Sequence, residues 1–175
     1  AFLELHGVDV NVPEYTGKGV PDPEVGLECF RGAIGREPEG DEMAKLIMLR
    51  QRYLVAEVET SPGSRVMPGV EELLRRLTGE GRLVGLITGN TEPAAHIKLA
   101  RADLNRYFAF GGFGSDHENR TELLRTGAAR GAALLGLPVA ACRVVVIGDT
   151  PKDVEAARGI GAHCLAVATG AASAE

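Results

Sequence analysis

Apolar residues recur at helical spacing over 41–59, where Leu46, Leu49 and Tyr53 form one stripe and Ile47, Leu54 and Val58 a neighbouring one. That spacing predicts a helix, and 22–36 predicts another. The first six residues read as the tail of a further helix, followed by a proline- and glycine-rich connection over 13–23. The pattern changes at the turn-rich stretch Thr60-Ser61-Pro62-Gly63-Ser64. Beyond it, short apolar runs alternate with helical segments, the signature of a parallel sheet with crossover helices. Val70, Leu73, Leu74 and Leu77 share one face of a helix over 69–77, 83–87 reads as a strand, and Pro93 opens the next helix. A short strand over 107–110, a helix over 121–135, a strand over 144–147 and a last strand over 163–168 complete the pattern. The expected fold is α/β: a Rossmann-like parallel sheet core over 63–175, preceded by a small all-helical domain over 1–62.

Two strand ends carry chemistry. Val144 to Ile147 is β-branched throughout and runs through Gly148 into Asp149-Thr150-Pro151-Lys152-Asp153. Thr150 is a hydroxyl cap, Pro151 suits the first helical position and Asp153 is an acid in the first turn. Asp149 and Asp153 are therefore expected together at the carboxyl end of a strand, where open α/β sheets bind ligands. Oxygen ligands in that setting suit magnesium. The second strand end, Leu86-Ile87-Thr88-Gly89-Asn90-Thr91, offers a hydroxyl, a glycine that admits close backbone approach, and amides at a helix start. Such a turn can hold a phosphoryl group. Threonine-glycine turns after strands also occur for purely structural reasons, so it is the pairing with the acidic turn that gives this one weight.

Composition narrows the class. A formal net charge of −5 without a lysine- or arginine-rich block argues against a general nucleic-acid or membrane-surface role. The three cysteines, Cys29, Cys142 and Cys164, lack paired spacing, which argues against a disulfide framework or zinc site and fits a reduced, cytoplasmic setting. His6, His96, His117 and His163 show no mutual metal-ligand spacing. The run Gly111-Gly112-Phe113-Gly114 lacks nucleotide-loop spacing and reads as a flexible turn. No apolar stretch approaches the roughly 20 residues needed to span a bilayer, and no charged-then-apolar leader opens the chain.

Taken together, these residues resemble the haloacid dehalogenase-like hydrolase superfamily, mostly magnesium-dependent phosphatases, over about residue 65 to the end. Thr88-Gly89-Asn90 is similar to the family's second motif, whose hydroxyl and main-chain amide hold the transferring phosphoryl group. Gly148-Asp149-Thr150-Pro151-Lys152-Asp153 is similar to the fourth, which implies that Asp149 coordinates Mg2+ and Asp153 completes or orients the metal's water shell. The helical segment resembles the cap that many members insert between their first and second motifs, as in the phosphoglycolate phosphatase-like and phosphoglucomutase-like branches. The family's third-motif lysine has no counterpart from Arg101 to Pro151, and Arg120, just ahead of a predicted helix, stands in its place. The resemblance also puts Ser115, Asp116 and His117 in a loop bordering the site, and Lys18 in a cap loop that can meet a second anionic group.

The family's first motif, a strand followed by Asp-x-Asp-Gly-Thr, is absent. Its strand would lie between those carrying Thr88 and Asp149, so its omission is expected to leave a slot with unpaired backbone along both neighbours. The nucleophilic aspartate is thus expected upstream of Ala1, and the 175-residue chain alone is expected to be inactive. The implied activity is hydrolysis of a small phosphomonoester through an aspartyl-phosphate, by a monomer or homodimer with no nucleic-acid or membrane partner. The alternatives are a metal-independent haloacid dehalogenase, a phosphonate hydrolase or sugar phosphomutase of the same fold, or a noncatalytic relative lacking the nucleophile.

Overall fold

The computed structural model describes residues 1–12, 21–62 and 65–169. Lys18, most of the 13–23 connection and the end of the turn-rich boundary lie outside the described residues.

The first third is helical. Helix α1 (Phe2–His6) ends at Gly7, α2 (Asp22–Cys29) carries Pro23 in its first turn and runs on into a π-helical turn (Phe30–Ile34), and α3 spans Glu42–Thr60. Phe2, Cys29, Phe30 and Leu46 are buried together, with Leu5, Val25, Ile34 and Met43 packed around them. The Phe2 and Phe30 rings meet edge-on at 5.0 Å, a favoured aromatic geometry. Of the stripes expected on α3, Leu46 and Val58 are buried, whereas Tyr53 is half exposed. Its hydroxyl donates to Glu4 on α1 instead.

Helices and strands then alternate: α4 (Val70–Gly79), β1 (Gly85–Thr88), α5 (Glu92–Ala100), β2 (Phe110–Phe113), α6 (Arg120–Leu134), β3 (Val145–Gly148), α7 (Pro151–Gly159) and β4 (His163–Ala166). On α4 only Leu74 is buried, and Leu73, expected on the same face, is largely exposed. Strand β1 pairs in parallel with β2, Gly85 opposite Phe110 and Thr88 opposite Phe113. Strand β3 pairs in parallel with β4, Val145 opposite His163 and Gly148 opposite Ala166. Among the described residues no ladder joins β1 to β3, so the sheet consists of two separate pairs. This is the break expected when a strand between those carrying Thr88 and Asp149 is absent.

The expectations over 107–114 need correction. Asn105–Tyr107 is a single 3₁₀ turn, and the strand is the glycine run itself, Phe110–Phe113. The glycines serve packing. A Cβ on Gly112 would sit 2.1 Å from the Leu123 carbonyl oxygen, and a Cβ on Gly131 would sit 2.7 Å from the Phe110 ring. Strand and helix touch backbone to backbone, a closeness only glycine permits.

Those contacts also fix direction. Stepping back along β2 from Gly112 to Phe110 corresponds to stepping forward along α6 from Leu123 to Gly131. Helix α6 is therefore antiparallel to β2, with its N-terminus at the carboxyl end of the β1–β2 pair. The same helix joins the other pair: Leu124 is buried with Ala156 and Ala157 of α7, and Ile87 of β1 and Val146 of β3 both pack on that cluster. The opposite face of β3–β4 is uncovered among the described residues, leaving Val145, Ile147 and Leu165 each about half exposed (51%, 47% and 54%).

Candidate functional site

The turn after β1 is held by bonds that the local sequence only partly foreshadows. Thr88 Oγ1 accepts from the side-chain Nδ2 of Asn90 at 2.8 Å and from its backbone amide at 3.2 Å. The Asn90 Oδ1 accepts from the Lys98 ammonium on α5 at 2.5 Å. Although Lys98 as a whole is exposed, burial around its head pushes its pKa down, with Asp22 pulling it up and Arg50 pushing it further down. The Gly89 carbonyl accepts the Asp22 amide and the Asn90 carbonyl accepts the Gly114 amide, both at 2.8 Å.

Asp22, at the start of α2, is buried although it is charged. Its Oδ2 accepts the Thr91 amide at 3.0 Å and its Oδ1 accepts from Arg50 of α3 at 2.8 Å. Both carboxylate oxygens are thus occupied, which is how a buried charge is tolerated. The helical segment is tied by this residue to the turn that carries Thr88.

The turn after β3 matches the predicted helix start. Thr150 caps α7: its hydroxyl accepts the Asp153 amide at 3.3 Å and donates to Asp153 Oδ2 at 2.7 Å, while the Thr150 amide donates to the same oxygen at 3.1 Å. Asp153 fits beneath the strand end because position 148 is glycine. A Cβ there would lie 2.5 Å from that of Asp153. Arg120, the first residue of α6, places Nε and Nη2 on Asp153 Oδ1 at 3.0 and 2.6 Å. Burial pushes the Asp153 carboxyl up, but the Thr150 and Arg120 hydrogen bonds outweigh it and hold the group below the ordinary aspartate range.

Asp149 is differently placed. It is partly exposed, and among the described residues its hydrogen bond is one of 3.3 Å that Oδ2 accepts from Thr169. Arg120, at the N-terminus of α6, touches Asp153 beyond the end of β3, and the same helix end lies against the carboxyl end of β2. Since β1 is parallel to β2, Thr88 and Asp149 emerge at the same end of the molecule as Arg120 and Asp153. Thr88, Gly89, Asn90, Arg120, Asp149 and Asp153 thus border one region, interrupted by the slot between β1 and β3.

The donor chemistry suits magnesium at Asp149, which keeps carboxylate oxygen available. Asp153 is committed through both oxygens to Arg120 and Thr150, which suits orientation of a neighbour better than direct ligation. Among the described residues no group of three His, Cys, Asp or Glu is positioned to hold a metal ion.

Asp116 bonds the Phe113 amide at 2.9 Å and takes a bidentate pair from Arg130 at 2.6 and 2.7 Å, so it fastens the end of β2 to α6. His117 accepts the Asn119 amide through Nδ1. Sequence reasoning did not single out Asp22, Arg50 or Lys98. The one local sign for Asp22 was its place beside a first-turn proline.

A family model described as haloacid dehalogenase-like hydrolase matches residues 8–161. A phosphoglycolate phosphatase of Synechococcus elongatus is 30% identical over 129 residues, 74% of this chain and 57% of that protein, so the chain spans little more than half of its relative's length. A crystal structure from Clostridium difficile, described provisionally as a phosphatase, superposes with a TM-score of 0.58 at 17% identity, covering 98% of this chain and 76% of that one. The latter likeness speaks to the fold alone.

Proposed function

This chain belongs to the haloacid dehalogenase-like hydrolase family, and from that premise we propose that it serves a magnesium-dependent phosphomonoester hydrolase that acts on a small phosphorylated metabolite through an aspartyl-phosphate intermediate. The reading rests on one observation above all. A hydroxyl-glycine turn at Thr88 and a carboxylate at Asp149 emerge at the same end of two parallel strand pairs, with an arginine-aspartate pair beside them.

Thr88 grips the phosphoryl group as a donor, since both lone pairs of its oxygen already receive hydrogens from Asn90. Gly89 contributes its main-chain amide. Arg120 presents its cationic face while Asp153 holds it by one edge, and its planar fork fits equatorial phosphoryl oxygens. Asp149 would hold Mg2+, which when bound supplies positive charge to an oxyanion as it develops. Asp153 and Thr150 keep that corner rigid. The nucleophile is an aspartate on a strand seated between β1 and β3, upstream of Ala1. The helical segment acts as a cap and sets the substrate. Three unpaired cysteines fit a cytoplasmic setting, and no described helix is long and apolar enough to cross a membrane.

The test is phosphate release from a panel of small phosphorylated acids and sugars, with and without magnesium, by a chain extended with an aspartate-bearing strand segment. Magnesium-dependent release from at least one of them is expected. Halide release from a haloacid without metal, or no turnover of any phosphomonoester, would overturn the reading.

A further inference from the structure

We propose that Lys98 is a positioning residue for phosphoryl binding, setting through Asn90 the direction in which the Thr88 hydroxyl donates. The inference rests on the reading of Thr88 as a phosphoryl grip and extends it to a residue on another element.

The argument is one of hydrogen-bond polarity. An ammonium can only donate, so the atom of Asn90 facing Lys98 at 2.5 Å must be the carbonyl oxygen. That fixes the amide, whose two ends are otherwise interchangeable in shape. The NH2 group then faces Thr88 Oγ1 at 2.8 Å, and the Asn90 backbone amide approaches the same oxygen at 3.2 Å. A hydroxyl oxygen has two acceptor sites and one proton. Both acceptor sites are filled, and among the described residues the proton has no acceptor. It is left to donate to an anion in front of the turn.

Without Lys98 the Asn90 side chain is free to rotate by half a turn. Its carbonyl would then take the Thr88 proton, and the grip would lose its donor with little change in shape. The carbonyls of Gly89 and Asn90 are already fastened by Asp22 and Gly114, so the backbone of the turn would stay in place. Lys98 thus acts on which atom donates, in addition to whatever charge it lends.

The probe is inorganic phosphate with magnesium, titrated into the 15N-labelled chain and followed at the Asn90 side-chain amide and the Gly89 amide. Lys98→Met is expected to weaken phosphate binding roughly tenfold, the scale of one lost hydrogen bond to a charged group, and Lys98→Arg, also donor-only, to restore most of it. In an Asn90→Ala background, Lys98→Met should have no further effect, because the residue that misorients is gone. If Lys98→Met costs as much in that background as in the parent, the lysine acts by charge alone and the relay is overturned. Thr88→Val separates the two levels. Should it bind phosphate like the parent, the reading of the grip itself falls; should it weaken binding while Lys98→Met does not, only the relay falls.

Discussion

The Asp22 carboxylate accepts the backbone amide of Thr91, 69 residues further along the chain, at 3.0 Å, while its other oxygen receives Arg50 at 2.8 Å. The start of α2 is thereby fixed to the turn that carries Thr88. Asp22→Ala leaves a buried amide without an acceptor and a guanidinium without its partner, and should cost about 2 kcal/mol. Asp22→Asn can still accept the amide and should cost less. Urea unfolding measures both, and a loss for Asp22→Ala no larger than the roughly 0.5 kcal/mol of an ordinary surface change would contradict the assignment.

Close approach of β2 and α6 predicts an asymmetry between two glycines. At Gly112 a Cβ would lie 2.1 Å from the Leu123 carbonyl oxygen, against backbone that cannot swing aside. Gly112→Ala should therefore cost about 3 kcal/mol or more. Gly136 has a positive φ of 65° but open space around it, so Gly136→Ala should cost only about 1 kcal/mol of backbone strain. Thermal melting of the two variants in parallel decides the point, and equal losses would argue against backbone contact between strand and helix.

A pH dependence follows from Asp116. The Arg130 guanidinium holds its carboxyl below the ordinary aspartate value, aided by the Phe113 amide and opposed by burial. A lowered folded pKa contributes stability that is present above the unfolded value of about 3.9 and is lost as pH falls through the folded one. The stability gap between the parent and Asp116→Asn should be constant from about pH 8 to 5 and narrow below about pH 4. A gap that widens on acidification would have the wrong sign.

The break between β1 and β3 predicts where amide exchange is fast. Among the described residues, backbone groups on the facing edges of these strands have no ladder partner. Extending the chain with an aspartate-bearing strand segment should slow exchange of those amides selectively and leave the far strands β2 and β4 little changed. Uniform exchange before and after the extension would show that the segment does not seat in the slot.

The parts of this arrangement legible in the sequence are the local ones. The Thr150 cap, the Asp153 acid in the first turn and the strands ending at Thr88 and Gly148 each lie within a few residues and follow from strand and helix-start chemistry. Arg120 is legible through the family resemblance, which puts a cation just ahead of the helix predicted over 121–135; it is the first residue of α6, and its bond to Asp153 links residues 33 apart. Strand β2 was misplaced because glycine has poor strand propensity and carries no alternation. Its reason for being there, contact with α6, is visible only in three dimensions. Asp22 and Lys98 escaped for a related reason. A lone acid at a helix start and a lone lysine in a helix look like surface residues until the turn they fasten is seen against them.

The most direct test concerns Asp149, the carboxylate left available at the end of β3. In the chain extended to include an upstream aspartate segment, magnesium-dependent hydrolysis of a phosphomonoester should fall roughly a hundredfold or more in Asp149→Asn, with thermal stability nearly unchanged. Turnover in that variant equal to the parent, at the same magnesium concentration, would contradict the placement of the metal and the account built on it.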